Sequence, residues 1–204
     1  MAVVAIRPPT LGDALGLPRL RPWQDAALVV GISLLVAGCA QISVYLPFSP
    51  VPISAQTLAV LLAGATLGSR RGALVGMAYL GEGLAGLPVF AGGQSAWTLG
   101  RTGIPTIMGP TAGYLAGFVA GAFVVGWLAE RGWDRSVWSA VAAMAIGNAV
   151  IYAFGLLGLA RFVPADAVLA AGVLPFLPGD AVKIAIAASV LPSVWSLVGR
   201  GGSR

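Results

Sequence analysis

Between Ala167 and Gly199 the chain carries only two ionisable residues, Asp180 and Lys183, and Lys183 is the only lysine in 204 residues. Three positions apart on a helix, their side chains share one face and can reach each other. Pro178-Gly179 precede Asp180, so the acid falls in the first helical turn, where the helix dipole favours an anion. Lys183 gains nothing from that dipole and needs a specific partner. Charges in an apolar segment are costly and by default mark a ligand site or substrate path. The pair either offers an acceptor and a donor to a polar ligand or locks the helix as a structural ion pair.

Other polar groups are sparse. Gln56 and Thr57 follow Pro50-Val-Pro-Ile-Ser54, with Ser54 a candidate N-cap and Thr57 where a capping box has Glu or Gln. Gln56 can serve a ligand or a neighbouring helix. Asn148 and Tyr152, spaced i,i+4, share a face, as ligand contacts or as interhelical hydrogen bonds. In the segment 88–109, Gln94 and Arg101 are the polar groups best placed to meet an anion. Phe90 and Trp97 either cover a site or sit in an interfacial aromatic belt. Glu82 can pair with a loop arginine or with Lys183. Ala27/Gly31 and Ser33/Ala37 are small residues at i,i+4, a spacing that lets another helix approach closely.

Several chemistries are excluded. With one cysteine (Cys39) and no histidine, the chain has no disulfide framework, Cys/His metal site or histidine acid–base chemistry. Walker A, H-E-x-x-H and G-x-S-x-G patterns are missing. An enzyme using Asp180 and Glu82 as acid and base would lack a nucleophile or metal cluster. No cofactor is expected, and concentrative uptake would draw energy from a partner or an ion gradient.

The elements that must hold these residues are membrane helices. Mean hydropathy is +0.90, 58% of residues are hydrophobic and 9% are charged, and Ala26–Ser69 has no charge at all. The reading is an all-α integral membrane protein with six transmembrane helices near 26–45, 54–68, 72–87, 110–129, 137–160 and 179–198. The second is short: about 15 residues cover ~22 Å of a ~30 Å hydrocarbon core. Residues 1–25 read as a cytoplasmic lead-in without signal-peptide features, 26–198 as the membrane domain and 199–204 as a cytoplasmic tail. The pI near 10.1 comes from scattered basic residues, which argues for topology signals rather than nucleic-acid binding. Arg7, Arg19, Arg21, Arg70, Arg71, Arg131, Arg135, Arg200 and Arg204 fall on one side, against Arg101 and Arg161 on the other. That bias predicts cytoplasmic termini and an outward-facing Asp180/Lys183 end.

Taken in order, Ala40-Gln-Ile-Ser43, Pro50-Val-Pro-Ile-Ser-Ala-Gln-Thr-Leu58, Gly86-Leu-Pro-Val-Phe-Ala-Gly-Gly93, Gly109-Pro-Thr-Ala-Gly-Tyr114 and Leu177-Pro-Gly-Asp-Ala-Val-Lys183 resemble the BioY family. Those proteins are the biotin-specific substrate-binding (S) components of energy-coupling factor (ECF) transporters. The likeness covers roughly 26–198. It implies a prokaryotic cell-membrane protein that captures biotin outside, closes the 46–53 and 88–109 loops, and docks on a transmembrane coupling subunit driven by two ATPase subunits. Ala27, Gly31, Ser33 and Ala37 would contribute to docking. Asp180, Lys183, Asn148, Tyr152, Gln56, Gln94 and Arg101 would form the biotin site. The stretch between Gly93 and Gly109 is longer than the family's usual glycine-rich one, and Ala112 stands where glycine is usual. An S component for another vitamin and a self-sufficient biotin carrier are the alternatives.

Overall fold

Apolar runs cut by glycine and proline become helices in the computed structural model, which describes residues 10–17 and 20–201. Arg7, Arg19 and Arg204, used above for orientation, lie outside the described residues. A short helix α1 (Leu11–Ala14) is followed by α2 (Pro22–Gln41), α3 (Gln56–Leu67), α4 (Ser69–Leu84), α5 (Ala112–Ala129), α6 (Val137–Leu159), short α7 (Val168–Gly172) and α8 (Leu177–Gly201). The six longer helices overlap the six expected segments. Four of them, α2, α5, α6 and the 177–198 part of α8, are long and apolar enough to cross a membrane. At 12 residues, α3 spans about 18 Å, and α4 has 16 residues.

Four features differ from the reading. First, α2 starts earlier, with Pro22 at its first turn, and ends at Gln41. Second, Ser43–Val44 (β1) pair antiparallel with Ile53–Ser54 (β2), so the fold is not purely helical. Third, α4 starts at Ser69 and takes Arg70 and Arg71 into its first turn. Gly68, at φ +87°, makes the turn between α3 and α4. The Glu130 carboxylate from the end of α5 then accepts from the Ser69 backbone N–H at 2.7 Å and its hydroxyl at 2.8 Å, supplying the cap that the α4 sequence lacks. At the other end of the chain, α8 continues to Gly201, past the expected boundary at 198.

The core is built around α5. Gly113 and Gly117 let α6 lie backbone to backbone: a Cβ at position 113 would come 2.3 Å from Phe154 O, and one at 117 would come 2.9 Å from Ile151 O. This is close packing through small residues, the chief source of helix association where the surrounding lipid is as apolar as the interior. Around α5, buried Val60, Leu61, Val75, Phe118, Val125, Met144 and Ile151 fill the centre. On α2 the two small pairs separate. Ser33 (0% exposed) and Ala37 (8%) face inward, while Ala27 and Gly31 are exposed. At 100° per residue, positions 31 and 33 must point to opposite sides. Ser33 donates to Glu82 Oε1 at 2.5 Å, joining α2 to α4. Among the described residues Glu82 thus makes an ion pair with neither Lys183 nor a loop arginine.

Both ends of the bundle are tied. At the end holding the 67–69 and 130–136 turns, Arg71 pairs with Asp25 at 2.7 Å. Buried Asp134 accepts from the Trp195 indole N–H at 2.5 Å, and burial pushes its carboxyl above the usual range, more strongly than that bond and Arg135 lower it. The opposite end carries β1–β2, the long 85–111 connection with short 3-10 turns at Ala91–Gly93 and Thr106–Met108, and α7. Tyr45 donates to Ala91 O at 3.0 Å and Arg101 to Leu46 O at 2.9 Å, holding two loops together over the bundle.

Candidate functional site

Beneath those loops, residues of α3, α5, α6 and α8 line a pocket whose empty space, open solvent included, is about 620 Å³. Its polar pole is Asp180 and Lys183. Asp180 lies in the first turn of α8, with its backbone N–H bonded to Phe176 O. The Lys183 ammonium donates to Asp180 Oδ1 at 2.9 Å and to Thr57 Oγ1 at 2.8 Å. The Tyr152 hydroxyl donates to the other Asp180 oxygen. The pair therefore exists, and both side chains are mostly buried. Each also has capacity left. An ammonium has a third N–H, and each carboxylate oxygen has a second lone pair.

Tyr114, Leu115, Phe118, Ile151 and Phe176 form an apolar wall of the same cavity. Phe176 lies tilted against both Tyr114 and Tyr152, with centroids 6.3 and 6.4 Å apart. Tyr114 is held in place by donating to Gly172 O at 2.8 Å. A second wall is formed by Phe90, which is buried, packs edge-on against Tyr79 and lines the cavity. Trp97 instead lies exposed on the surface with its indole N–H on Leu84 O. Of these two aromatics only Phe90 belongs to the cavity.

The expected site residues divide. Asp180, Lys183, Tyr152, Gln56 and Gln94 all line the cavity. The Gln56 amide is already engaged: its Oε1 accepts from Ser54 Oγ at 2.7 Å and its Nε2 donates to Tyr79, which donates on to Val89 O. The α3 N-cap is Ala55, not Ser54, because the Ser54 hydroxyl is turned to Gln56. Gln94 sits at the rim, where its Oε1 accepts from Thr106 at 3.1 Å. Arg101 lies in an adjoining cavity of about 320 Å³ that shares Pro52, Gln94, Thr106 and Thr111 with the first. Burial raises the phenol of Tyr45 there, and Arg101 partly offsets it.

Asn148 does not reach the main cavity. It lines a separate space of about 180 Å³ with Leu61, Met144, Thr57 and Lys183, and the Lys183–Thr57 bond stands between the two. Sequence reasoning missed Tyr114, Phe118 and Phe176 as lining residues. A tyrosine inside an apolar segment, as at 114, was the available signal, since a buried phenol needs an acceptor.

Comparison with known proteins follows the same outline. The BioY family model matches residues 14–200. The biotin transporter BioY of Rhizobium etli is 40% identical over 171 residues, covering 80% of this chain and 84% of the relative. That of Rhodobacter capsulatus is 39% identical over 183 residues, covering 83% and 88%. A crystal structure of the S-component for biotin from an ECF-type ABC transporter superposes with a TM-score of 0.70 at 21% identity, over 87% of this chain and 95% of that one. The shared helical frame, the matched length and these identities lead to one conclusion: the chain belongs to the BioY family and is a multi-pass membrane protein of prokaryotic cells.

Proposed function

We propose that this protein binds biotin as the S component of an ECF uptake transporter. The observation that carries the reading is that one cavity is lined both by the Asp180/Lys183/Thr57 charge cluster and by aromatic rings. Biotin likewise carries both characters, in a ureido ring, an apolar thioether ring and a valerate tail. Only the ureido end supplies N–H donors for Asp180, and its carbonyl accepts the remaining Lys183 proton. The valerate is kept from this pole by repulsion from Asp180 and extends toward the Gln94 rim and Arg101. Charge-assisted bonds at ~1.5–3 kcal/mol each support tight binding, less the cost of immobilising the ligand.

The surrounding arrangement is part of the proposal. Residues 26–198 form a six-span membrane domain, flanked by a cytoplasmic lead-in (1–25) and tail (199–204). The arginine bias faces the 46–53 and 88–109 loops outward, where their opening and closing admits biotin. Ala27 and Gly31, on the exposed face of α2, meet the transmembrane coupling subunit, which two ATPase subunits drive; Ser33 and Ala37 are packed inside and serve the fold. Lipid covers the remaining apolar surface.

The test is biotin binding by the purified full chain. Lys183→Ala is expected to abolish binding of labelled biotin while the protein stays folded by size exclusion and thermal unfolding; unchanged affinity sinks the site. A thermal-shift panel of biotin, thiamine, riboflavin and folate should respond to biotin alone.

A further inference from the structure

The aromatic wall is supported from behind by glycine. The Tyr114 ring rests on Gly155, where a Cβ would lie 2.4 Å from Cε1 and 2.5 Å from both Cδ1 and Cζ. Its hydroxyl is fixed to Gly172 O at 2.8 Å, and a Cβ at position 172 would lie 2.6 Å from that oxygen. The ring is therefore bounded at its back and at its tip. Helices α5 and α6 lie backbone to backbone beside this contact: the Phe154 carbonyl lies 2.3 Å from where a Gly113 Cβ would be, and a Cβ at Gly158 would sit 3.1 Å from the Gly113 backbone. A side chain at 155 must either part these packed helices, at the cost of their whole contact, or move the Tyr114 ring into the cavity it lines, beside Phe176 at 6.3 Å; the ring movement disturbs fewer contacts.

We propose that Gly155 is a specificity-determining residue: it sets how far Tyr114 stands into the cavity, and hence the thickness of the ring system the site admits. The inference rests on the biotin reading above. In that reading the ureido ring occupies the Asp180/Lys183 pole, so the fused thioether ring lies against Tyr114 and Phe176. Overpacking by one methyl is felt in a close-packed site because neighbours relax only partly.

The experiment measures dissociation constants for biotin and for desthiobiotin, which keeps the ureido ring and tail but lacks the sulfur bridge. Four full-length chains are compared: the natural one, Gly155→Ala, Gly155→Ala combined with Tyr114→Leu, and Gly158→Ala as a packing control. Gly155→Ala is expected to weaken biotin about tenfold or more, as a methyl-sized overpacking implies, and to weaken desthiobiotin less. Adding Tyr114→Leu should recover biotin binding relative to Gly155→Ala alone. Gly158→Ala should lower thermal stability and leave the biotin-to-desthiobiotin ratio as it is. If the natural chain binds biotin and Gly155→Ala keeps that ratio, the role of Gly155 is overturned and the biotin reading stands. If the natural chain binds neither compound, the biotin reading itself fails. Should Gly155→Ala not fold, the double variant decides: folded, biotin-binding protein supports the role, and its absence overturns it.

Discussion

Asp180 accepts from Lys183 on one oxygen and from Tyr152 on the other, so its orientation is fixed before any ligand arrives. That is preorganisation: side-chain ordering is completed on folding rather than on binding. Tyr152→Phe removes one of these constraints while keeping the ring against Phe176. Biotin affinity is expected to fall about tenfold, as loss of one hydrogen bond to a charged group implies; titration calorimetry checks it, and an unaltered constant would remove Tyr152 from the site. A second prediction concerns Asp134, whose carboxyl burial raises and whose Oδ1 has no hydrogen-bond partner among the described residues. A group with a raised folded-state value binds protons more tightly when folded, so stability declines as pH rises from the ordinary carboxylate range through the raised one. Asp134→Asn keeps an acceptor for Trp195 and should flatten that decline. Thermal unfolding of both proteins across this pH window tests it, and parallel curves count against it.

For the helices, two glycines with the same sequence signature should behave oppositely. On α5, Gly117 faces the α6 backbone at 2.9 Å, whereas on α2 nothing lies within 4 Å of a Cβ added to Gly31. Gly117→Val should destabilise the protein by roughly 1–3 kcal/mol, the usual cost of overpacking. Gly31→Val should leave unfolding temperature and biotin binding unchanged and reduce copurification of the coupling subunit; a loss of stability would place that face inside the fold. The sequence could not separate these two cases. Helix existence was legible because apolar runs end at Gly and Pro, but which face turns inward was not, since lipid and core demand the same apolar side chains. The assignment of Ser33 and Ala37 to one docking stripe with Ala27 and Gly31 failed for that reason. Asp180 and Lys183 were legible because charge stands out in an apolar segment. Asn148 was aligned with Tyr152 by helical spacing, which could not reveal that Lys183 and Thr57, from two other helices, lie between it and the main cavity.

Across the whole molecule, orientation is the open proposal. A reporter fused after Arg204 should read cytoplasmic, and a tag inserted near Gly103 should be reached from outside; an extracytoplasmic C-terminus would reverse the capture side. The long helices are also unequally embedded. Of the apolar stretch of α5, 56% is buried inside the protein, against 17% of that of α8. The wall residues Tyr114 and Phe118 stand on the most embedded of the four long apolar helices, while Asp180 and Lys183 ride on the least embedded of them. A ligand bridging the two then acts as a rivet between a fixed part and a loose one. Its binding energy would appear as slower amide exchange along α8, with α5 already protected, and as an unfolding temperature that climbs with the logarithm of vitamin concentration. Release would need only the loose side to be pulled away, which is a mechanical task suited to a partner that pushes on the outside of the bundle.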